Sequence, residues 1–253
     1  MTQRLKKLRL AVCGCSVLLA LAVIILCNVL PLPKDLARFL VDKSPENGVN
    51  IYAAQNFMWI GFFWGLAELL IRYLIVKEQE HELTDGYLPE NPEAILTANS
   101  MAQINRSVAE KRGTGTLAAL VRLIAYQFQL SRSVGMCQSV LNAEVESRSA
   151  DIDLGYNILR YIAWMLPTLG FIGTVWGILS ALSVAASMDP TDKALLPTVI
   201  SSMSVAFWTT LLALIMSCII MYLMHYIQGK EENYLNACSR YCLKNFINRL
   251  YEN

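Results

Sequence analysis

Four apolar runs punctuate the chain, at 10–30, 56–76, 161–186 and 195–227, with polar text between them. Each exceeds the ~20 residues a helix needs to cross ~30 Å of hydrocarbon, longer than the apolar runs of a water-soluble core. The pattern predicts four membrane-spanning helices. The first run follows a basic start, MTQRLKKLRL, but its apolar stretch is longer than the roughly 7–15 residues of a signal-peptide core. Pro31 and Pro33 close it, and no small-x-small cleavage site follows, so it is expected to be a retained helix. Residues 77–92, KEQEHELTDGYLPENP, are polar and broken by Gly86, Pro89 and Pro92. From Glu93 apolar residues recur three and four apart, as in Leu120, Leu123, Ile124 and Phe128, which predicts amphipathic helices. Such helices pack on one another, on a neighbouring subunit, or dock another protein. The last segment, GKEENYLNACSRYCLKNFINRLYEN, reads as the fourth helix running on. No strand of note, repeat or low-complexity stretch is visible. The expected fold class is all-α: a polytopic membrane protein with two spans and a short periplasmic loop in 1–76, a helical cytoplasmic segment in 77–160, a pore-forming helix pair in 161–227 and a helical cytoplasmic tail in 228–253.

Charge sets the orientation. The segments 31–55 and 187–194 carry four Lys and Arg together, whereas the N-terminus, the segment 77–160 and the tail carry sixteen, leaving Arg72 inside the second run. Positive residues stay inside, so both termini and the 77–160 segment are expected in the cytoplasm. The composition, 55% apolar and 16% charged, agrees with a membrane protein, and a net charge of +1 suggests no nucleic-acid partner. Of the seven cysteines, Cys13, Cys15, Cys27 and Cys218 lie in the runs, and Cys137, Cys238 and Cys242 lie in the cytoplasmic parts. None falls in an external loop, which argues against a disulfide framework, and none has companion ligands at zinc spacing. No metal or cofactor is expected. His81 and His225 are isolated, and no paired carboxylates, Ser/His set or phosphate loop appears, so an enzyme is not expected.

The third run contains LPTLGFIGTVWGILSAL, with more small and polar groups than a helix in lipid needs. Residues three and four apart share a helical face. Gly170, Thr174, Gly177 and Ala181 therefore form one narrow stripe, with Gly173 and Gly177 a further small pair. In VAFWTTLLALIMS and its surroundings Ala206, Thr210, Ala213 and Ser217 repeat the same spacing. Small stripes let membrane helices approach closely. The short connection SMDPTDKALLPT makes the two helices antiparallel. Thr174 and Thr210 each sit ~22–26 Å from it at ~1.5 Å per residue, so both hydroxyls are expected at one depth near the bilayer middle. Two hydroxyls at one level make a narrow polar site, although a Thr can also satisfy itself on its i−4 carbonyl. The third and fourth runs contain no Asp, Glu, Lys or Arg, and His225 lies near the cytoplasmic end. A proton path needs a titratable carrier, so another chain must supply it. Pro167 removes one backbone hydrogen bond and reads either as a packing kink or as a hinge. Glu68 and Arg72, four apart in the second run, read either as an intrahelical ion pair or as a contact to a partner.

LPTLGFIGTVWGILSAL resembles the pore motif of the MotA/TolQ/ExbB proton-channel family, and VAFWTTLLALIMS resembles that of the next helix. Four spans with a large cytoplasmic segment resemble MotA, whereas the GTVWG wording is closer to TolQ and ExbB. The resemblance covers about 155–227 through its motifs and the rest by topology alone. It implies a homopentamer around a dimer of a single-span MotB/TolR/ExbD-type partner in the bacterial inner membrane. The partner's mid-membrane Asp would carry the ion, and ion-motive force would drive rotation or force on a periplasmic target. Pro167 then matches the motif proline, and Thr174 and Thr210 the pore threonines that form the ion pathway. Val205 stands where TolQ and ExbB have a Glu, and the proline common later in that helix is missing. Two pore threonines accompany both H+ and Na+, so the ion stays open. The rival reading is a four-span scaffold without conduction. Those proteins place cysteines and large loops outside, the reverse of this chain.

Overall fold

A computed structural model of the chain describes residues 3–30, 39–41, 43–44, 48–49, 54–83, 88, 96, 100–110, 115–189 and 191–251. Pro31, Pro33, Gly86, Pro89 and Pro92, used above as breaks, and Lys34 and Arg38, counted above among the charges of 31–55, lie outside the described residues. Among those described are seven long helices: α1 Gln3–Val29, α2 Ala54–Glu80, α3 Ser100–Glu110, α4 Thr116–Ser131, α5 Val134–Gly155, α6 Asn157–Ser187 and α7 Leu195–Asn245. The fold is helical, as expected, and the fourth apolar run continues through 245 as one helix. A small antiparallel pair, β1 Lys43–Ser44 and β2 Gly48–Val49, was not anticipated. Three helical stretches are long and apolar enough to cross a membrane: Ala54–Glu80, Val134–Ser187 and Leu195–Arg249. A shorter apolar stretch, Gly14–Cys27, lies in α1.

The chain divides into two compact units, Met1–Ile71 with Asn157–His225, and Arg72–Tyr156 with Tyr226–Asn253. In the first, α2, α6 and α7 approach closely because glycines remove the side chains that would hold them apart. A Cβ on Gly61 would sit 2.8 Å from Met165 Cε, and one on Gly65 2.7 Å from Ile220 Cδ1. Near the start of α2, Gln55 Nε2 donates to Phe39 O at 3.1 Å and Trp59 Nε1 to Leu40 O at 2.9 Å. Phe39 meets Trp208 edge to face, with ring centres 5.4 Å apart. A short turn joins α6 and α7. In it Asp189 Oδ1 accepts from the Thr191 hydroxyl at 2.7 Å and from the Thr191 N–H at 2.9 Å, which holds its carboxyl below the usual range. Large apolar side chains such as Phe171, Trp176, Leu179 and Phe207 point outward.

The second unit has its own core. Leu120, Ile124 and Phe128, three of the four residues whose spacing predicted an amphipathic helix, are fully buried among Met101, Leu141, Cys238 and Phe246, and Leu123 is half-buried. α4 ends at Arg132 in the left-handed conformation (φ 50°), whose N–H bonds back to Phe128 O. The chain end is tied in by backbone bonds: Leu96 N–H donates to Arg249 O at 2.8 Å and Tyr251 N–H to Leu96 O at 3.2 Å. Burial, with Cys238 nearby, pushes the Cys242 thiol up to about 12, which leaves it a protonated packing group rather than a nucleophile.

The glycines of this fold are not equivalent. A Cβ on Gly177 would lie 2.6 Å from Ala206 Cβ, 3.1 Å from its Cα and 3.3 Å from its N, atoms that cannot swing away, whereas one on Gly229 meets nothing within 4 Å. Gly177→Val is expected to destabilise by about 1–3 kcal/mol through overpacking. Gly229→Ala should be neutral or stabilising by up to about 1 kcal/mol. Unfolding midpoints of both variants in mixed detergent check the pair.

Candidate functional site

The two small-residue stripes face each other. Gly170 lies against Ala213, where an added Cβ would meet Ala213 Cβ at 2.5 Å, and Gly177 lies against Ala206. Gly170, Ala181, Ala206 and Ala213 are buried within a single chain. Close packing of α6 on α7 thus accounts for the small size of both stripes. Gly173 is turned toward Thr209 and Ala54 rather than toward Thr210.

Between these contacts the structure brings Thr174 and Thr210 together. Their hydroxyls touch each other, and both are half-buried. Each also reaches its own i−4 carbonyl and that of the opposite helix. Thr174 Oγ1 lies 3.1 Å from Gly170 O and 3.3 Å from Ala206 O, and Thr210 Oγ1 lies 3.1 Å from Gly170 O and 3.4 Å from Ala206 O. The result is a four-oxygen cluster across the seam, with two protons to share. Chemically it can donate to or accept from a guest acid, water or small cation, but it has no group that titrates.

Sequence reasoning missed two hydroxyl bonds beside this cluster. Thr209, 5% exposed, donates to Ala206 O at 2.7 Å. Ser217, 7% exposed, donates across the seam to Ala163 O at 2.7 Å. The second bond has a specific cause. Ala163 stands four residues before Pro167, so its carbonyl is the one left without a helical N–H by the proline ring. A carbonyl orphaned inside an apolar environment must find another donor, and a hydroxyl of a neighbouring helix serves. α6 therefore runs through Pro167 without a break. The signal was present in the sequence: Gly170 faces Ala213 and Gly177 faces Ala206, and the same antiparallel register sets Ser217 beside Pro167.

Arg72, the other charge singled out in the sequence, lies in the second unit and reaches three partners the sequence did not name. Nη1 is 3.4 Å from Glu231 Oε2, Nη2 donates to Gly155 O at 2.5 Å, and the guanidinium lies 4.3 Å from the Tyr156 ring centre. A Cβ on Gly155 would overlap this guanidinium. Tyr156 also donates to Glu231 Oε2 at 2.9 Å. Burial, and then the Glu231 charge, hold its phenol far above the usual value. Glu68 is half-buried one turn earlier on α2. The side chains of Arg72 and Glu231 are 12% and 23% exposed. Removing one partner of such a pair leaves the other poorly solvated, so Arg72→Met is expected to cost about 3 kcal/mol. Denaturation of the variant against the native chain checks this.

The proline-and-serine reading has its own test. Ser217→Ala should cost about 1–3 kcal/mol in the native chain because it leaves Ala163 O unsatisfied. With Pro167→Ala, the restored N–H at 167 can take that carbonyl, so the same substitution should become nearly neutral. A coupling of about 1–3 kcal/mol in the double-mutant cycle, read from unfolding midpoints, is the expected result.

No curated protein sequence matches the chain. The model of the MotA/TolQ/ExbB proton channel family matches residues 120–239, which hold most of α4, all of α5 and α6, and α7 as far as Ser239. The resemblance seen in the sequence is therefore found, and the apolar helices are those of a membrane protein. That segment, which includes Thr174 and Thr210, is similar to the MotA/TolQ/ExbB proton channel family.

Proposed function

We propose that the chain is the ring-forming ion-channel subunit of an inner-membrane motor or energy-transducing complex, with the Thr174–Thr210 pair in its ion path. The observation that carries this reading is the hydroxyl pair itself, two half-buried Oγ1 atoms in contact across two helices at one level. Its oxygens offer polar contact but no titratable group, so the travelling charge rides on a carboxylic acid brought by a single-span partner of the MotB/TolR/ExbD type. The hydroxyls solvate that acid as it gains and loses its ion, H+ or Na+. Five copies of this chain surround a dimer of the partner, with α1, α2, α6 and α7 across the membrane, and the charge bias supports both termini in the cytoplasm. One charge moving down 100 mV releases ~2.3 kcal/mol, which the complex converts to rotation or force on a periplasmic target.

The test uses the complex purified from its native membrane and reconstituted in liposomes, with separate dyes for H+ and Na+. Thr174→Val and Thr210→Val are expected to leave assembly intact and to slow ion flux by about tenfold each, the effect of ~1.4 kcal/mol on a barrier. Unchanged flux in both variants contradicts the assignment, and co-purification without a single-span acidic partner contradicts the architecture.

A further inference from the structure

The hydroxyl cluster looks symmetric, but proton and lone-pair counting makes it one-sided, and the cause is Thr209. A carbonyl oxygen has two lone pairs, and a hydroxyl has one proton and two lone pairs. Inside α6 and α7 the N–H of residue i bonds to the carbonyl of residue i−4. The Thr174 N–H therefore takes one lone pair of Gly170 O, and the Thr210 N–H takes one of Ala206 O. Thr209 takes the second lone pair of Ala206 O at 2.7 Å. Ala206 O is then full, whereas Gly170 O keeps one lone pair. The distances agree: both pore hydroxyls stand closer to Gly170 O, at 3.1 Å, than to Ala206 O, at 3.3 and 3.4 Å.

With one carbonyl site for two hydroxyl protons, the pair can bond in only two ways. Thr174 donates to Thr210, which donates to Gly170 O, or Thr210 donates to Thr174, which donates to Gly170 O. In either state the hydroxyl at the head of the chain accepts nothing and keeps both lone pairs open, whereas the other keeps only one, and exchanging the two states moves the fully open oxygen from one helix to the other. Were Ala206 O open, each hydroxyl could bond a carbonyl alone and the two would be independent.

We infer that Thr209 is a positioning residue that occupies Ala206 O, couples the Thr174 and Thr210 hydroxyls into one two-state chain, and so presents one fully open hydroxyl oxygen at a time to a protonated carboxylic acid in the seam. Thr209 is buried and packs against Gly173, where a Cβ would lie 2.9 Å from its Oγ1, so it acts through Ala206 O rather than by meeting the guest. The role rests on the ion-path reading above only for its consequence in flux; the coupling of the two hydroxyls does not depend on it.

The experiment is a Thr174→Val, Thr210→Val double-mutant cycle measured in four full-length backgrounds: native, Thr209→Val, Thr209→Ala and Thr209→Ser. Unfolding equilibria in mixed detergent report the coupling, and ion flux through the reconstituted complex is read in parallel. The native and Thr209→Ser backgrounds should show a coupling of about fivefold in the unfolding constant, the effect of one hydrogen bond, and Thr209→Val should remove it. Thr209→Ala, which deletes the hydroxyl without adding bulk, should repeat the loss. Flux should fall by about fivefold in Thr209→Val and be rescued in Thr209→Ser. A coupling that survives Thr209→Val and Thr209→Ala overturns the positioning role, even where Thr174→Val and Thr210→Val stop flux. A coupling lost in Thr209→Val while Thr174→Val and Thr210→Val conduct normally keeps the positioning role and overturns the ion-path reading instead.

Discussion

Inside a bilayer there is no water to accept a backbone carbonyl or to drive two helices together, and the seam between α6 and α7 follows from that constraint. Glycine and alanine let the backbones close until Gly170 meets Ala213 and Gly177 meets Ala206. At that separation hydroxyls of one helix reach carbonyls of the other. Ser217 fills the bond that Pro167 removes at Ala163, and the Thr174 and Thr210 hydroxyls converge on Gly170 O. A bulkier seam would hold the helices too far apart for any of these bonds, so packing comes first and the polar site depends on it.

The same logic separates the two charged or polar features of the chain. The Thr174–Thr210 pair is half-buried, uncharged and rich in acceptors, an arrangement that tolerates a guest group without a large desolvation cost. In the Arg72–Tyr156–Glu231 group, cation, ring, carboxylate and the Gly155 carbonyl contact one another in the second unit. The first is suited to exchange, the second to holding α2, α5 and α7 together within that unit.

Much of this was legible in the sequence because the relevant signals are periodic. Apolar run length marked the long helices, and three-and-four spacing marked Leu120, Ile124 and Phe128 as core. Equal spacing of two stripes, read with a short antiparallel connection, placed Thr174 level with Thr210. What escaped the reading was acceptor bookkeeping. A sequence displays donors such as Thr209 and Ser217 by name, but backbone carbonyls have no letter, so competition for Ala206 O and the vacancy left at Ala163 O appear only when each lone pair is counted. The partners of Arg72 escaped for a different reason: Glu231 lies 159 residues away, and a neighbour at i−4 is the contact that a one-dimensional pattern offers first.

The central claim is that the pore hydroxyls meet within each chain and face a shared central space. A high-resolution reconstruction of the complex purified from its native membrane tests it most directly, through the Thr174–Thr210 separation and the group facing them. The account predicts hydroxyls in contact in every copy, with an acidic side chain of a second polypeptide at their level. Hydroxyls turned apart or toward lipid, or a ring whose centre holds no second polypeptide, would contradict it.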